Sequence, residues 1–495
     1  MMKQYFGKII FWLGTAAEAA VIQYYLFGDF GCIGIILAGL TSLLLWGLLL
    51  TLPRGIIITA LTVQALFFWL LLVWHSHFDD PLSLRLIATS YREGLQFAAV
   101  SWRALLTLPV AVMLTFTCGQ LIYILKFWRP WADRLMLRLV CGIPLLFIIL
   151  AATKSFYKEG FVYTDFKFIT RTAGYPSGWF YEILTDVQSS HLFDEIANNA
   201  GLPTPPLPPE LKQIRLPEHL FVIQVESLDY AGFVTPGVMP FLQKLAAESY
   251  VYEIRPRQRN QSANSDFMML SKANNFEQYY FAIYTLLPPE DYKRFVSLPR
   301  KVKELGYQSA FYHGFSQRFY QRGKGIPAMG FDRWWFWDNL PIKAQEGAWG
   351  FEDGDLFDFV LEEDRRRAGQ KQLHMIVTVS SHENYDAGAK QKQPHTQPKT
   401  RKEMYDNALN YVDSSLQRLI ENAPQSSLFF IYSDHQSGEN EDTRTLLFIY
   451  DKQNPQAFRG SVDFAEVPLL LHGLIEESVN IPRENQPAVR QFLSK

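Results

Sequence analysis

Asp434 and His435 close the stretch SLFFIYSDHQ, in which a five-residue apolar run stops abruptly in a carboxylate and an imidazole. Oxygen and nitrogen donors side by side suit a divalent cation such as Zn or Mn. Two more apolar runs end in the same way. HLFVIQVES stops at Glu226, and HMIVTVSSHENYD stops at His382. In α/β proteins the carboxyl ends of buried parallel strands form the ligand crevice. Three strands ending in such side chains therefore predict one site that holds a cation.

The elements that must position these residues follow from the rest of the chain. Runs such as SAFYHGF and RTLLFIYDK alternate with amphipathic stretches such as PFLQKLAAE and DNALNYVDSSLQRLIENA. In the latter, Ala408, Val412, Leu416 and Ile420 recur four apart and mark one buried helical face. The alternation predicts an α/β domain over 216–495, a mostly parallel sheet sandwiched by helices. Before it, a mixed aromatic stretch and the proline run GLPTPPLPPE read as a membrane-proximal linker, 153–215.

The first 152 residues are the apolar part. Five segments, Tyr5–Phe27, Phe30–Leu52, Gly55–His75, Ala104–Phe127 and Leu135–Ala152, each approach the ~20 residues that cross a bilayer. Lys126, Arg129, Arg134 and Arg138 between the last two spans, with Lys3, Lys8 and Arg54, place that side in the cytoplasm. Five spans then put the α/β domain outside. All three cysteines, Cys32, Cys118 and Cys141, lie in the apolar segments, which excludes a disulfide framework or a cysteine nucleophile outside them. A formal net charge of −2 gives no electrostatic footprint for nucleic acid.

With these elements in this order, the chain resembles the lipoteichoic acid synthase branch of the alkaline phosphatase and sulfatase superfamily. The residues that carry the resemblance are Glu226 of VES, the Asp434-His435 pair, and the HG-x7-R spacing of HGFSQRFYQR with its aromatic two residues before the arginine. GFD at 330–332, WGFED at 349–353 and SVDFAEVPLLLHGL add to it. The resemblance implies a metal held by Glu226, Asp434 and His435, and a phosphate-recognition set of His313, Tyr320, Arg322 and His382. It also implies a threonine nucleophile at a helix start. Here RNQSANSDFMML places Asn264 at that position, and an amide is a poor nucleophile. The flanking hydroxyls of Ser262 and Ser265 are the alternatives. Phe315 stands where the family has an Asp, so the glycerol-binding side differs too.

An arginine with paired planar donors, imidazoles and a divalent cation are together the groups that bind and polarise a phosphoryl centre. The expected function is a membrane-anchored transferase outside a bacterial inner membrane. It would move phosphoglycerol or phosphoethanolamine from a phospholipid donor to a glycan or lipid acceptor, with His382 handling a proton. A second reading, motivated by Asn264, is a pseudoenzyme that binds or assembles with partners in an envelope-polymer synthesis or export complex. A sulfatase maturation motif would need an external Cys or a Ser in C/S-x-P/A-x-R.

Overall fold

The computed structural model describes residues 203–255, 262–273, 283–285, 287–344, 346–347, 349–388 and 393–480. In the first part of the chain it describes chiefly 42–46, 52–78, 108–126, 140–144 and 175–184, with scattered single positions. The chain divides into two compact units, Met1–Gln188 and Ser189–Lys495.

In the first unit the described helices are α1 (Arg54–Phe78), α2 (Leu108–Lys126) and α3 (Tyr175–Leu184). The first two fall on the third and fourth predicted spans. Among the described residues, one helix, over Arg54–Leu71, is long and apolar enough to cross a membrane. The predicted spans Tyr5–Phe27 and Leu135–Ala152 and the basic loop after Lys126 lie mostly or wholly outside the described residues, and Phe30–Leu52 is described only in part. Phe11, Trp46, Ile57, Leu61 and Ile124 form a small core. Two polar pairs lie beside it: Gln120 Nε2 donates to Thr15 Oγ1 (2.9 Å) and Trp46 Nε1 to Gln64 Oε1 (2.6 Å). Apolar surroundings favour such pairing, because a polar donor there has no water to turn to.

The second unit is built on one eight-stranded sheet, in the order β10-β2-β9-β8-β1-β7-β3-β4. The strands are β1 (His219–Val225), β2 (Tyr250–Arg255), β3 (Gln308–His313), β4 (Arg333–Phe336), β7 (Gln372–Val377), β8 (Ser427–Ser433), β9 (Thr445–Asp451) and β10 (Phe458–Asp463), and a small hairpin supplies β5 (Glu346–Gly347) and β6 (Gly350–Phe351). Five of the seven pairings are parallel. The exceptions are β8 with β9 and β2 with β9, which run antiparallel. The sheet is therefore mixed rather than simply parallel. Only a loop joins β8 to β9, too short for the helical crossover that a parallel pair requires.

Strands β1, β7 and β8 are buried along their whole length. Helices α4 (Ser262–Ser271), α5 (Leu298–Glu304), α6 (Arg322–Ala328), α7 (Asp353–Arg365), α8 (Arg401–Asn422) and α9 (Val467–Asn480) accompany the sheet. Helix α8 begins with a capping box, Thr400 with Glu403, and buries Ala408, Val412, Leu416 and Ile420 as its spacing predicts. The proline run is not a free spacer. Leu207 and Leu211 are buried, and Leu207 packs so closely on Gly473 of α9 that a Cβ there would meet it at 2.8 Å. Their apolar side chains hold the run against the domain.

Candidate metal and phosphoryl site

Glu226 lies one residue beyond the end of β1 and Asp434 one beyond β8, and these strands are in-register neighbours, Val225 facing Ser433. Parallel pairing thus brings two carboxylates from distant parts of the chain to one sheet end. His435 follows directly. Its Nε2 lies 3.3 Å from Glu226 Oε1 and 3.5 Å from Asp434 Oδ2. Donors on a tetrahedral cation with bonds of about 2.0–2.1 Å are separated by about 3.3 Å, so this spacing fits a Zn-sized ion. Burial pushes Asp434 up to about 7, and the Glu226 charge adds to it. Burial opposes the charge on His435 as well, yet Asp434 and Glu226 together hold the imidazole at about 10. A ligating imidazole is neutral, so a bound dication would displace the His435 proton, and the two buried carboxylates would balance its charge.

Ser227, directly after Glu226, is held at φ 54°, a left-handed conformation unusual for a serine. The strain fixes a double contact. Its backbone N–H donates to Asp434 Oδ1 (2.8 Å) and its hydroxyl to Glu226 Oε1 (2.9 Å).

Helix α4 brings its first residue to this group. Ser262 Oγ donates to Glu226 Oε2 at 2.7 Å and lies 3.4 Å from His435 Nε2. The structure thus places the Ser262 hydroxyl among the metal-type ligands and turns Asn264 away from them. Asn264 is buried, and its Oδ1 accepts from the backbone N–H of Ile283 (2.8 Å). Ser265 is also buried, with its Oγ donating to the Asp434 carbonyl (3.1 Å). The hydroxyl at the helix start is therefore two residues earlier than the sequence pattern suggests. On a helix a two-residue offset points a side chain to another face, which a motif comparison does not register.

Arg322, which begins α6, is 2% exposed. Its Nε donates to Asp266 Oδ2 (2.7 Å), while Tyr284 Oη donates to the other carboxylate oxygen (2.6 Å). Its Nη1 donates to His313 Nε2 (3.3 Å). His313 Nδ1 faces the Val377 carbonyl at 3.0 Å, so that nitrogen carries the proton and Nε2 is the acceptor. Burial and then the Arg322 charge lower His313 to about 3. His313 is thus a neutral acceptor for Arg322 here, not the donor to an anion expected from sequence. Among the described residues Arg322 Nη2 has no hydrogen-bond partner, although it is buried. A buried guanidinium N–H without an acceptor suits an oxyanion. Tyr320 and Gln321, immediately before it, both have positive φ (54° and 59°), and the guanidinium lies 5.9 Å from the Tyr320 ring centroid.

His382 does not end a strand. β7 stops at Val377, and His382 lies in a turn five residues on. That turn is pinned by Asp353 at the start of α7, which accepts from the backbone N–H groups of Val379 (2.8 Å) and Ser380 (3.1 Å). Trp349 lies against the His382 ring, centroids 3.5 Å apart and planes tilted by 34°. Gly350 (φ +92°) lies against the chain beside it, where a Cβ would sit 2.2 Å from the Gly314 carbonyl that accepts from the Phe351 N–H. Burial raises the Glu226 carboxyl, but the charges of His382 and then His435 outweigh it and hold Glu226 well below the usual carboxylate range. His382 is therefore within electrostatic reach of the metal-type group. Sequence reasoning passed over Gln224, Ser227, Asp266 and Tyr284. Gln224 carried a signal, since it is the one amide inside the apolar run HLFVIQV, and so did Asp266, one helical turn after Ser262.

A second group of metal-type side chains, His219, Asp364 and His374, lies buried at the other end of the sheet. Its donors stand at hydrogen-bonding distance, His219 Nδ1 at 2.6 Å and His374 Nε2 at 2.9 Å from the same Asp364 oxygen, and Tyr312 Oη is 3.2 Å from His374 Nδ1. This is a closed network between strands and α7, tighter than a metal's ligand spacing.

Residues 218–467, half of the chain, match the family model described as Sulfatase. A search of curated proteins finds no significant match. Among solved structures, the integral membrane lipooligosaccharide phosphoethanolamine transferase A of Neisseria meningitidis is similar over 95% of both chains, with a TM-score of 0.54 and 14% identity. The lipoteichoic acid synthase LtaP of Listeria monocytogenes is similar over 57% of this chain and 77% of its own, with a TM-score of 0.46 and 18% identity. The phosphoglycerol transferase GacH of Streptococcus pyogenes is similar over 61% and 88%, with a TM-score of 0.43 and 13% identity. The match of the family model across the whole strand framework that carries Glu226, Arg322, Asp434 and His435 makes this chain a member of the sulfatase family.

Proposed function

We propose that this protein is a membrane-anchored transferase that moves a phospho-alcohol headgroup, phosphoglycerol or phosphoethanolamine, from a phospholipid to a glycan or lipid acceptor outside a bacterial inner membrane. The observation that carries the reading is the Ser262 hydroxyl, 2.7 Å from Glu226 and 3.4 Å from His435, at the start of a helix whose next turn holds Arg322 through Asp266. The fold shared with the meningococcal phosphoethanolamine transferase along 95% of the chain supports the same reaction class and a membrane anchor.

Glu226, Asp434 and His435 would hold a Zn or Mn ion, which when bound polarises a phosphoryl oxygen and lowers the pKa of a hydroxyl beside it. Ser262 Oγ attacks the donor phosphorus as the bond to the diacylglycerol oxygen breaks, its proton passing to solvent water and returning to Ser262 Oγ when the acceptor displaces it. Arg322 neutralises the charge on the phosphoryl oxygens. His382 supplies a proton to the leaving oxygen and takes one from the acceptor hydroxyl, which then displaces Ser262 and completes the transfer. Five spans would keep the lipid donor beside the site and raise its effective concentration. Asn264, the substitution that motivates a pseudoenzyme, accepts from the Ile283 N–H instead of facing the metal-type group, which supports the transferase reading over that alternative.

The test is the full-length protein in detergent, with Zn or Mn and fluorescent phosphatidylglycerol or phosphatidylethanolamine. Release of diacylglycerol that Ser262→Ala abolishes is the expected result. No release from either lipid with either metal refutes it.

A further inference from the structure

The strand register that builds the metal group builds a second rung beneath it. Side chains two apart on a strand share a face, so Gln224 lies under Glu226 and Tyr432 under Asp434, and Gln224 pairs directly with Tyr432 between β1 and β8. Both are fully buried. Tyr432 Oη donates to Gln224 Oε1 at 2.6 Å. That contact fixes which end of the amide is oxygen and turns Nε2 toward two acceptors, the Ser262 carbonyl at 2.9 Å and Asp434 Oδ2 at 3.5 Å. One side chain thus touches the backbone of the nucleophile and a metal-ligating carboxylate, and its own orientation is set by a phenol.

We propose that Gln224, oriented by Tyr432, is the positioning residue that sets the Ser262 hydroxyl against the metal ligands. The proposal rests on the reading of Ser262 as nucleophile and extends it. Helix α4 begins at Ser262, whose N–H has no acceptor within the helix while its carbonyl belongs to the helix's first turn. The Gln224 amide is a second donor on that carbonyl and ties the start of the helix, and with it the Ser262 hydroxyl, to β1. A buried glutamine that merely satisfied a tyrosine would not need to reach a second element.

The experiment uses the full-length protein in detergent loaded with Co(II), whose visible spectrum reports the oxygen donors around it, together with headgroup release. Gln224→Met keeps the chain length and removes the amide. It is expected to lower kcat by roughly 10–100-fold, the cost of a misplaced reacting group, with KM and Co(II) affinity within about threefold of wild type, and to move the Co(II) bands in the same direction as Ser262→Ala. The double variant Gln224→Met/Tyr432→Phe removes both partners and so relieves the unsatisfied phenol. Its melting temperature should return close to wild type while kcat stays low. Recovery of kcat together with stability in the double variant overturns the proposal, as does a Gln224→Met spectrum identical to wild type. If wild type binds Co(II) without turnover, the transferase reading fails and the spectra still decide the role of Gln224. If it binds no Co(II), the reading of the metal group fails and the positioning role falls with it.

Discussion

Replacing Arg322 by Met removes one half of an ion pair in which neither partner is more than 2% exposed. Asp266 would be left as a buried carboxylate whose remaining side-chain partner is Tyr284. Burial already pushes the Asp266 carboxyl up even with the Arg322 charge beside it. Breaking such a pair from one side costs about 3–5 kcal/mol. For a unit of this size, at about 2 °C per kcal/mol, that is a fall in melting temperature of roughly 6–10 °C. The double variant Arg322→Met/Asp266→Asn carries no uncompensated charge, and the carbonyl oxygen of the new amide would still accept from Tyr284, so most of the loss should return. Inorganic phosphate binding should not return, because the guanidinium that serves the anion is gone. Melting by intrinsic fluorescence and phosphate titration by calorimetry at saturating Zn separate the two effects. A single variant that melts within about 2 °C of wild type, less than the cost of 1–2 kcal/mol, or a double variant that binds phosphate normally, refutes the assignment of Arg322 as a buried, anion-facing charge.

Other expectations follow from the same geometry. Asn264→Ala should leave headgroup release intact while costing about 1–3 kcal/mol of stability, since the Ile283 N–H loses its acceptor; loss of turnover with full stability would restore Asn264 to the chemistry. Chelation followed by gel filtration should lower the melting temperature, and Zn or Mn at about 100 times its dissociation constant should return roughly 2.7 kcal/mol, an effect absent in Asp434→Asn. Burial pushes Asp364 up, but the hydrogen bonds from His219 and His374 outweigh it and hold it at about 2. A depressed carboxylate stabilises the fold above its ordinary value of 3.8, and that contribution is lost as pH falls from there through about 2. Acid unfolding of Asp364→Asn should accordingly be less steep than that of wild type between about pH 4 and 2, and parallel curves would contradict the closed network.

The sequence announced the strands of the domain because its buried runs are nearly all apolar and end in polar groups, so that β1 and β8 stand out together with Glu226, Asp434 and His435 beyond them. The face of α8 was legible for a similar reason, a repeat of four along one helix. What the sequence could not supply was the direction of β9, which depends on the length of a loop rather than on any strand residue. Nor could it supply the identity of the hydroxyl at the metal group. Ser262, Asn264 and Ser265 are equally plausible on a line of text, and only the seating of α4 on β1 and β8 turns the first toward Glu226 and the second toward Ile283. The role of His313 was decided in the same way, by the Val377 carbonyl, which fixes the tautomer and leaves Nε2 to accept from Arg322. Residue types and strand ends are local properties, read from composition and period. Which atom faces which is set by register and helix rotation, and these exist only once distant segments have packed.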